Sequence, residues 1–141
     1  MERNMHDVAQ LIISCWRLSG EESLPTAHAV LDRALAKVVS TDVFPSWARD
    51  QLSFADSRVG LQCSELPLLL DLAQKAQLTA APNPSYRTVR VLVSESAAAT
   101  LVHRLEVDNN DARRWGAALR DAVDALKAQE GASKRTVTIE Y

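Results

Sequence analysis

Ala27, Val30, Leu31, Ala34, Leu35 and Val38 form an apolar stripe at helical spacing that runs unbroken through the segment. Such a stripe commits its segment to an amphipathic helix with one face in a core, which the rest of the chain must supply. The spacing predicts a helix that starts near Ser23, carries Pro25 in its first turn and reaches Val39. Residues 5–18 repeat the pattern with Val8, Leu11, Ile12 and Cys15. Asn4 is the expected N-cap there, Asp7 sits in the first turn, and Ser19-Gly20 supplies the stop. Ile13 and Trp16 widen that apolar arc, so this helix is expected to be covered on more than one side. The short connection between the two helices predicts an antiparallel hairpin.

A short helix is predicted from Pro45 to Phe54, with Asp42 or Thr41 near its start and Trp47, Ala48 and Leu52 facing inward. The period then changes. Val59, Leu61 and Cys63 alternate with Arg58, Gly60 and Gln62, the two-residue repeat of a strand. Ser64 is read as the cap of a helix reaching Leu78, with Pro67 in its first turn. Leu66, Leu68, Leu69, Leu70 and Leu72 surround that helix, which predicts a place at the centre of the core. Residues 79–85, TAAPNPS, read as an internal linker-like loop.

Residues 87–93 form a predicted strand with Val89, Val91 and Val93 on one face. Residues 97–107 fit two periods. Ala97, Ala98, Ala99, Leu101, Val102 and Leu105 favour a helix, whereas Leu101, His103, Leu105 and Val107 alternate as the second arm of a hairpin. The β-branched Val102 and Val107 and the stop at Asp108-Asn109-Asn110 tip the reading to the hairpin. A long helix over 111–129 follows, capped by Asn109 or Asn110, lined by Trp115, Leu119, Ala122 and Leu126, and closed by Glu130-Gly131. The end, 136–141, alternates as a last strand that joins 87–93 or 58–63.

These elements add up to an α+β fold in a single domain over 1–141. A helical N-terminal part of three to four helices packs on a small, mainly antiparallel sheet of three or four strands, with a long C-terminal helix. Hydrophobic residues make up 47% of the 141 and charged residues 24%, enough for a core that needs no metal or disulfide. With aromatics at 5%, that core is chiefly aliphatic.

Charge narrows the partners. The formal net charge is −2, with 6 basic against 9 acidic side chains in residues 1–70 and 10 against 9 in residues 71–141. Nucleic-acid binders ordinarily carry a basic stripe, so nucleic acid is not the expected partner. No run of residues is apolar and long enough for a membrane span, and the start lacks the pattern of a signal peptide. A soluble, cytoplasmic protein is the expectation. Cys15 and Cys63 show no metal-binding or redox spacing and are expected as reduced, buried thiols.

No phosphate loop, dinucleotide fingerprint, nucleophile elbow or zinc motif is present in the sequence. His6, His28 and His103 are scattered. His28 stands one turn before Asp32, so the two can pair on a helix surface, and a pairing of Cys63 with His28 or His103 is too thin to name as a nucleophile. No catalytic residue, metal ligand or cofactor is therefore assigned.

Two groups remain as candidates for ligand or partner binding. Arg113 and Arg114 open the last long helix, where the dipole disfavours positive charge, a misfit that an anionic ligand would relieve. The competing reading pairs them with Asp108, Asp111 or Glu106. Trp16, Trp47 and Trp115 fall on or beside apolar helix faces as core residues, or wall a pocket if two of them flank one opening. The functional expectation is a non-enzymatic interaction or regulatory protein that binds another protein or itself as a homodimer. The alternative is a small-molecule-binding protein with a Trp/Leu-lined pocket, with an enzyme built from scattered His, Cys and Asp as a further reading.

Overall fold

The computed structural model describes residues 4–26, 30–58, 60–81 and 88–139. The chain order is α1 (Met5–Leu18), β1 (Ser23–Pro25), α2 (Val30–Ser40), α3 (Ser46–Arg49), β2 (Phe54–Ser57), β3 (Gly60–Cys63), α4 (Leu66–Lys75), β4 (Thr88–Arg90), α5 (Glu95–Arg104) and α6 (Asn109–Ile139). The mixed helix-and-sheet class and the long last helix are as the sequence implies.

The start of α1 follows its sequence closely. Asn4 Oδ1 accepts the Asp7 N–H at 3.1 Å and Asp7 Oδ2 accepts the Asn4 N–H at 3.0 Å, a reciprocal capping box. Every residue from Leu11 to Trp16 is buried, because α1 is packed by α4, α5 and α6 on different sides. The expectation of cover on more than one side holds, and α1 is the central helix. The leucine-rich α4 is not. It buries Leu66, Leu69 and Ala73, while Leu68 stays 48% exposed. Leucines all round a helix cannot all face one core, and here α4 lies on the core's flank.

The predicted hairpin of the first two helices is replaced by a strand. Ser23 and Pro25 belong to β1, and α2 packs on α6 and β3. Trp16 Nε1 donates to the Ser23 carbonyl at 2.9 Å, which pins the chain in extended form just after α1. Residues 27–29, and with them the Ala27 end of the helical stripe and His28, lie outside the described residues. Val30, Leu31, Ala34, Leu35 and Val38 are buried as the stripe requires.

The strands form two separate antiparallel pairs in place of one sheet of three or four strands. In one, Leu24 of β1 stands opposite Val89 of β4, and an isolated bridge pairs Thr79 with Val91 on the other side of the same strand. Thr79 is 3% exposed and sits in that bridge, so the linker-like reading fails at its first residue. Positions 82–85 lie outside the described residues. The other pair is a hairpin, with Phe54 opposite Cys63 and Ser57 opposite Gly60. The third helix is consequently only four residues long, and Phe54 belongs to β2.

Two predicted strands are helical. Over 97–107, Ser94 Oγ accepts the Ala97 N–H at 3.2 Å and starts α5, which buries Ala98 and Val102 one turn apart. A side-chain cap and helix-forming alanines outweigh the alternation there. At the end of the chain, α6 continues across Gly131 to Ile139. One glycine costs an established helix about 1 kcal/mol, whereas a strand over 136–141 needs a free sheet edge to bond with. The cap of α6 is Asp108, whose Oδ1 accepts the Asn110 N–H at 2.8 Å and the Asp111 N–H at 3.3 Å, in place of Asn109 or Asn110.

The helices α1 and α6 meet backbone to side at one point. A Cβ on Gly116 would overlap the Cys15 carbonyl oxygen and lie 2.7 Å from its carbon. One turn further along α6, Arg120 Nη1 donates to the Ser19 carbonyl at 2.6 Å, closing an orphan acceptor at the end of α1. Gly116→Ala is therefore expected to destabilise the protein by about 3 kcal/mol, the upper part of the usual overpacking range. Urea denaturation checks this, and a loss below about 0.5 kcal/mol would show that the two helices separate easily.

Candidate functional site

The residues that sequence singles out take different places in the fold. Trp16 is 2% exposed and its indole N–H is committed to Ser23. Trp115 packs edge-on against Phe44, with ring centroids 6.2 Å apart and planes at 65°. Phe44 itself is buried with φ +72°, and Arg49 holds its loop, donating from Nε to the Phe44 carbonyl at 3.0 Å and from Nη1 to Asp42 at 2.7 Å. Burial beneath Trp115 thus offsets a strained backbone. Trp47, on α3, is half-buried against the core. Arg113 and Arg114 are exposed, and Arg114 Nη2 lies 2.8 Å from Asp111 Oδ1, one of the pairings foreseen. His6 lies against Gln10 at 3.2 Å, and His103 is exposed on α5.

A cluster that sequence reading missed lies where α2, β3 and the start of α4 meet. Asp32 Oδ2 accepts the Cys63 N–H at 2.7 Å, joining α2 to the end of the hairpin. Glu65 reaches back to the other strand's approach: Oε1 accepts the Ser53 N–H at 2.7 Å and Oε2 the Ser53 Oγ–H at 2.6 Å. The Cys63 thiol donates to Glu65 Oε1 at 3.9 Å. Beside these groups opens a cavity of about 380 Å³ whose walls include Asp32, Cys63, Ser64, Leu66, Pro67 and Leu70. A second, of about 230 Å³, lies between α2 and α6 over Val38 and Ala122, with Lys37 and Asp121 at its rim. Neither is walled by tryptophan.

Burial sets the chemistry of the thiols. Both cysteines are free and buried. Burial pushes Cys63 up to about 11, and the nearby Glu65 and Asp32 carboxylates push the same way, against backbone hydrogen bonds that favour the thiolate. Burial raises Cys15 further still. A protonated thiol is a poor nucleophile, so Cys63 next to two carboxylates is not an activated pair. Among the described residues no group of three or more His, Cys, Asp or Glu side chains is placed to hold a metal ion, and no helix is long and apolar enough to cross a membrane.

Partial burial of the Glu65 carboxyl raises it, but the bonds from Ser53 outweigh this and hold it below the ordinary range. A carboxyl depressed in the folded state stabilises the fold above its unfolded value of roughly 4.3, and that contribution is lost as pH falls through the lower folded value. Glu65→Gln is expected to lower the denaturation midpoint near neutral pH, and the gap from the wild type closes as pH falls toward about 3. A gap independent of pH would mean that the Ser53 bonds do not depend on the charge. Cys15 and Cys63 are both expected to resist a thiol reagent at mildly alkaline pH in the native protein and to react fully once unfolded. Rapid native labelling of either would contradict the burial described.

In comparisons with known proteins, the chain matches no protein family, no curated protein and no solved structure.

Proposed function

We propose that this chain is a non-enzymatic binding protein that acts by covering another protein, with the outer face of α4 as its contact surface. The observation that carries this is Leu68, 48% exposed on a helix whose Pro67 is also exposed and whose Leu70 and Leu72 are only half-buried. An exposed leucine next to an exposed proline, on a helix that borders an apolar-walled cavity, is the kind of surface that protein contacts use. Cys63, which lines the adjoining cavity, is held as a thiol, which weighs against thiolate catalysis there.

A second copy of the chain is the less favoured occupant. A two-fold interface sets each patch against itself, so the Asp32 and Glu65 carboxylates of one protomer would approach those of the other. A partner with apolar and basic side chains meets no such repulsion.

Native mass spectrometry of the full-length protein, purified gently from its own source, tests the reading when wild type and Leu68→Glu are compared at equal thermal midpoints. A heterocomplex of fixed stoichiometry that Leu68→Glu dissolves is the expected result. A monomer or homodimer in both, or a complex indifferent to Leu68→Glu, overturns it.

A further inference from the structure

We infer that the cavity between α2, β3 and α4 is a subsite for a basic side chain, a lysine ammonium or arginine guanidinium carried on its apolar stem. The inference rests on the binding reading above and specifies the partner chemistry at that face.

Asp32, which lines the cavity, carries a carboxylate that is in no ion pair with any other described residue. Asp32 is half-buried and its Oδ2 is committed to the Cys63 N–H at 2.7 Å. Its Oδ1 has no bond to any described residue. A partly desolvated carboxylate with an open oxygen is an acceptor for an incoming cation. The walls fit the rest of such a side chain, because Leu66, Pro67 and Leu70 offer apolar surface to three or four methylenes. A volume of about 380 Å³ is ample for one lysine or arginine and small for a folded element.

The start of α4 opposes a cation with roughly half a positive charge, since its first N–H groups lie at this end. Two full carboxylate charges, on Asp32 and Glu65, outweigh it. Glu65 does so from outside the cavity, because both its oxygens are already taken by Ser53. An anionic ligand would face those same two carboxylates, so the local field selects against it. The second cavity offers no comparable preference, because Lys37 and Asp121 stand together at its rim.

The test is an amide-resolved NMR titration of the full chain with N-acetyl-lysine methylamide, N-acetyl-arginine methylamide and the neutral N-acetyl-norleucine methylamide. The Cys63 amide reports directly, since Asp32 accepts from it. Saturable shifts at Cys63 and Ser64 with the lysine or arginine probe are expected. Asp32→Asn keeps an oxygen for the Cys63 N–H while removing the charge, and is expected to weaken that binding roughly tenfold or more. Leu70→Lys, which lets the chain's own ammonium into the cavity, should likewise abolish the shifts if Asp32→Asn proves unstable. Norleucine shifting the same amides as strongly as lysine, or Asp32→Asn binding lysine as the wild type does, would overturn the inference. The two readings fail separately. A heterocomplex dissolved by Leu68→Glu but untouched by Asp32→Asn removes the basic-side-chain subsite alone, whereas a complex that Leu68→Glu does not disturb removes the α4 docking face.

Discussion

The rest of the structure depends on how closely α6 approaches α1 at Cys15 and Gly116. Only a residue without a Cβ lets the α6 backbone lie against the Cys15 carbonyl, and the residues along the same side of α6, Ala112, Leu119 and Val123, are then driven to full or nearly full burial. The same approach puts Arg120 within reach of the Ser19 carbonyl and lets one helix cover α1 and α2 together. With α6 on one side and α4 and α5 on others, α1 has no solvent face over its middle turns. Its Ser14 hydroxyl is buried there without a hydrogen-bond partner among the described residues, which matches a helix enclosed all round.

Three of the surrounding helices stop by one device. After α2, α4 and α5 a residue turns left-handed, Asp42, Gln77 and Glu106 respectively, with φ between 61° and 62°. The next residue's N–H then reaches back five positions: Val43 to Val38 at 3.0 Å, Leu78 to Ala73 at 2.9 Å and Val107 to Val102 at 2.9 Å. A left-handed non-glycine residue costs roughly 1–2 kcal/mol, offset here by satisfied carbonyls and by the apolar side chain that follows, which turns back onto the core. These stops place the connections tightly enough to position α4 on the flank, with its leucines divided between core and surface.

That division links packing to the function proposed above. Leu66 and Leu69 anchor α4, Asp32 ties the end of β3 to α2, and Glu65 ties the start of α4 to Ser53. The start of the helix is therefore tied to two other segments while Leu68 stays exposed. On the binding reading proposed above, a fixed apolar face beside a carboxylate-lined cavity would lose little entropy when a partner docks.

Much of the helical structure was legible in local residue patterns. Asn4 and Asp7 define the start of α1, and the apolar periods of α1 and α2 predict their buried faces. Val89, Val91 and Val93 are all buried as their alternation requires, although β4 itself covers only Thr88–Arg90. The leucines of α4 also held a clue to the proposed contact face, because at helical spacing they point in every direction and some must reach the surface. What local pattern could not decide was anything that needed a neighbour. Residues 136–141 alternate like a strand, but among the described residues the strands form two separate pairs and 136–139 extend α6. Residues 97–107 fit two periods until the Ser94 cap and packing chose one. The Asp32–Cys63 bond joins residues 31 positions apart, and Gly116 looks like any glycine until Cys15 lies beneath it. Periodicity and capping are properties of a few consecutive residues, so the sequence by itself determined where α1 begins and which sides α1 and α2 bury. Strand pairing, close helix contact and the clustering of charges around a cavity depend on which distant segments meet, and only the tertiary structure decided those.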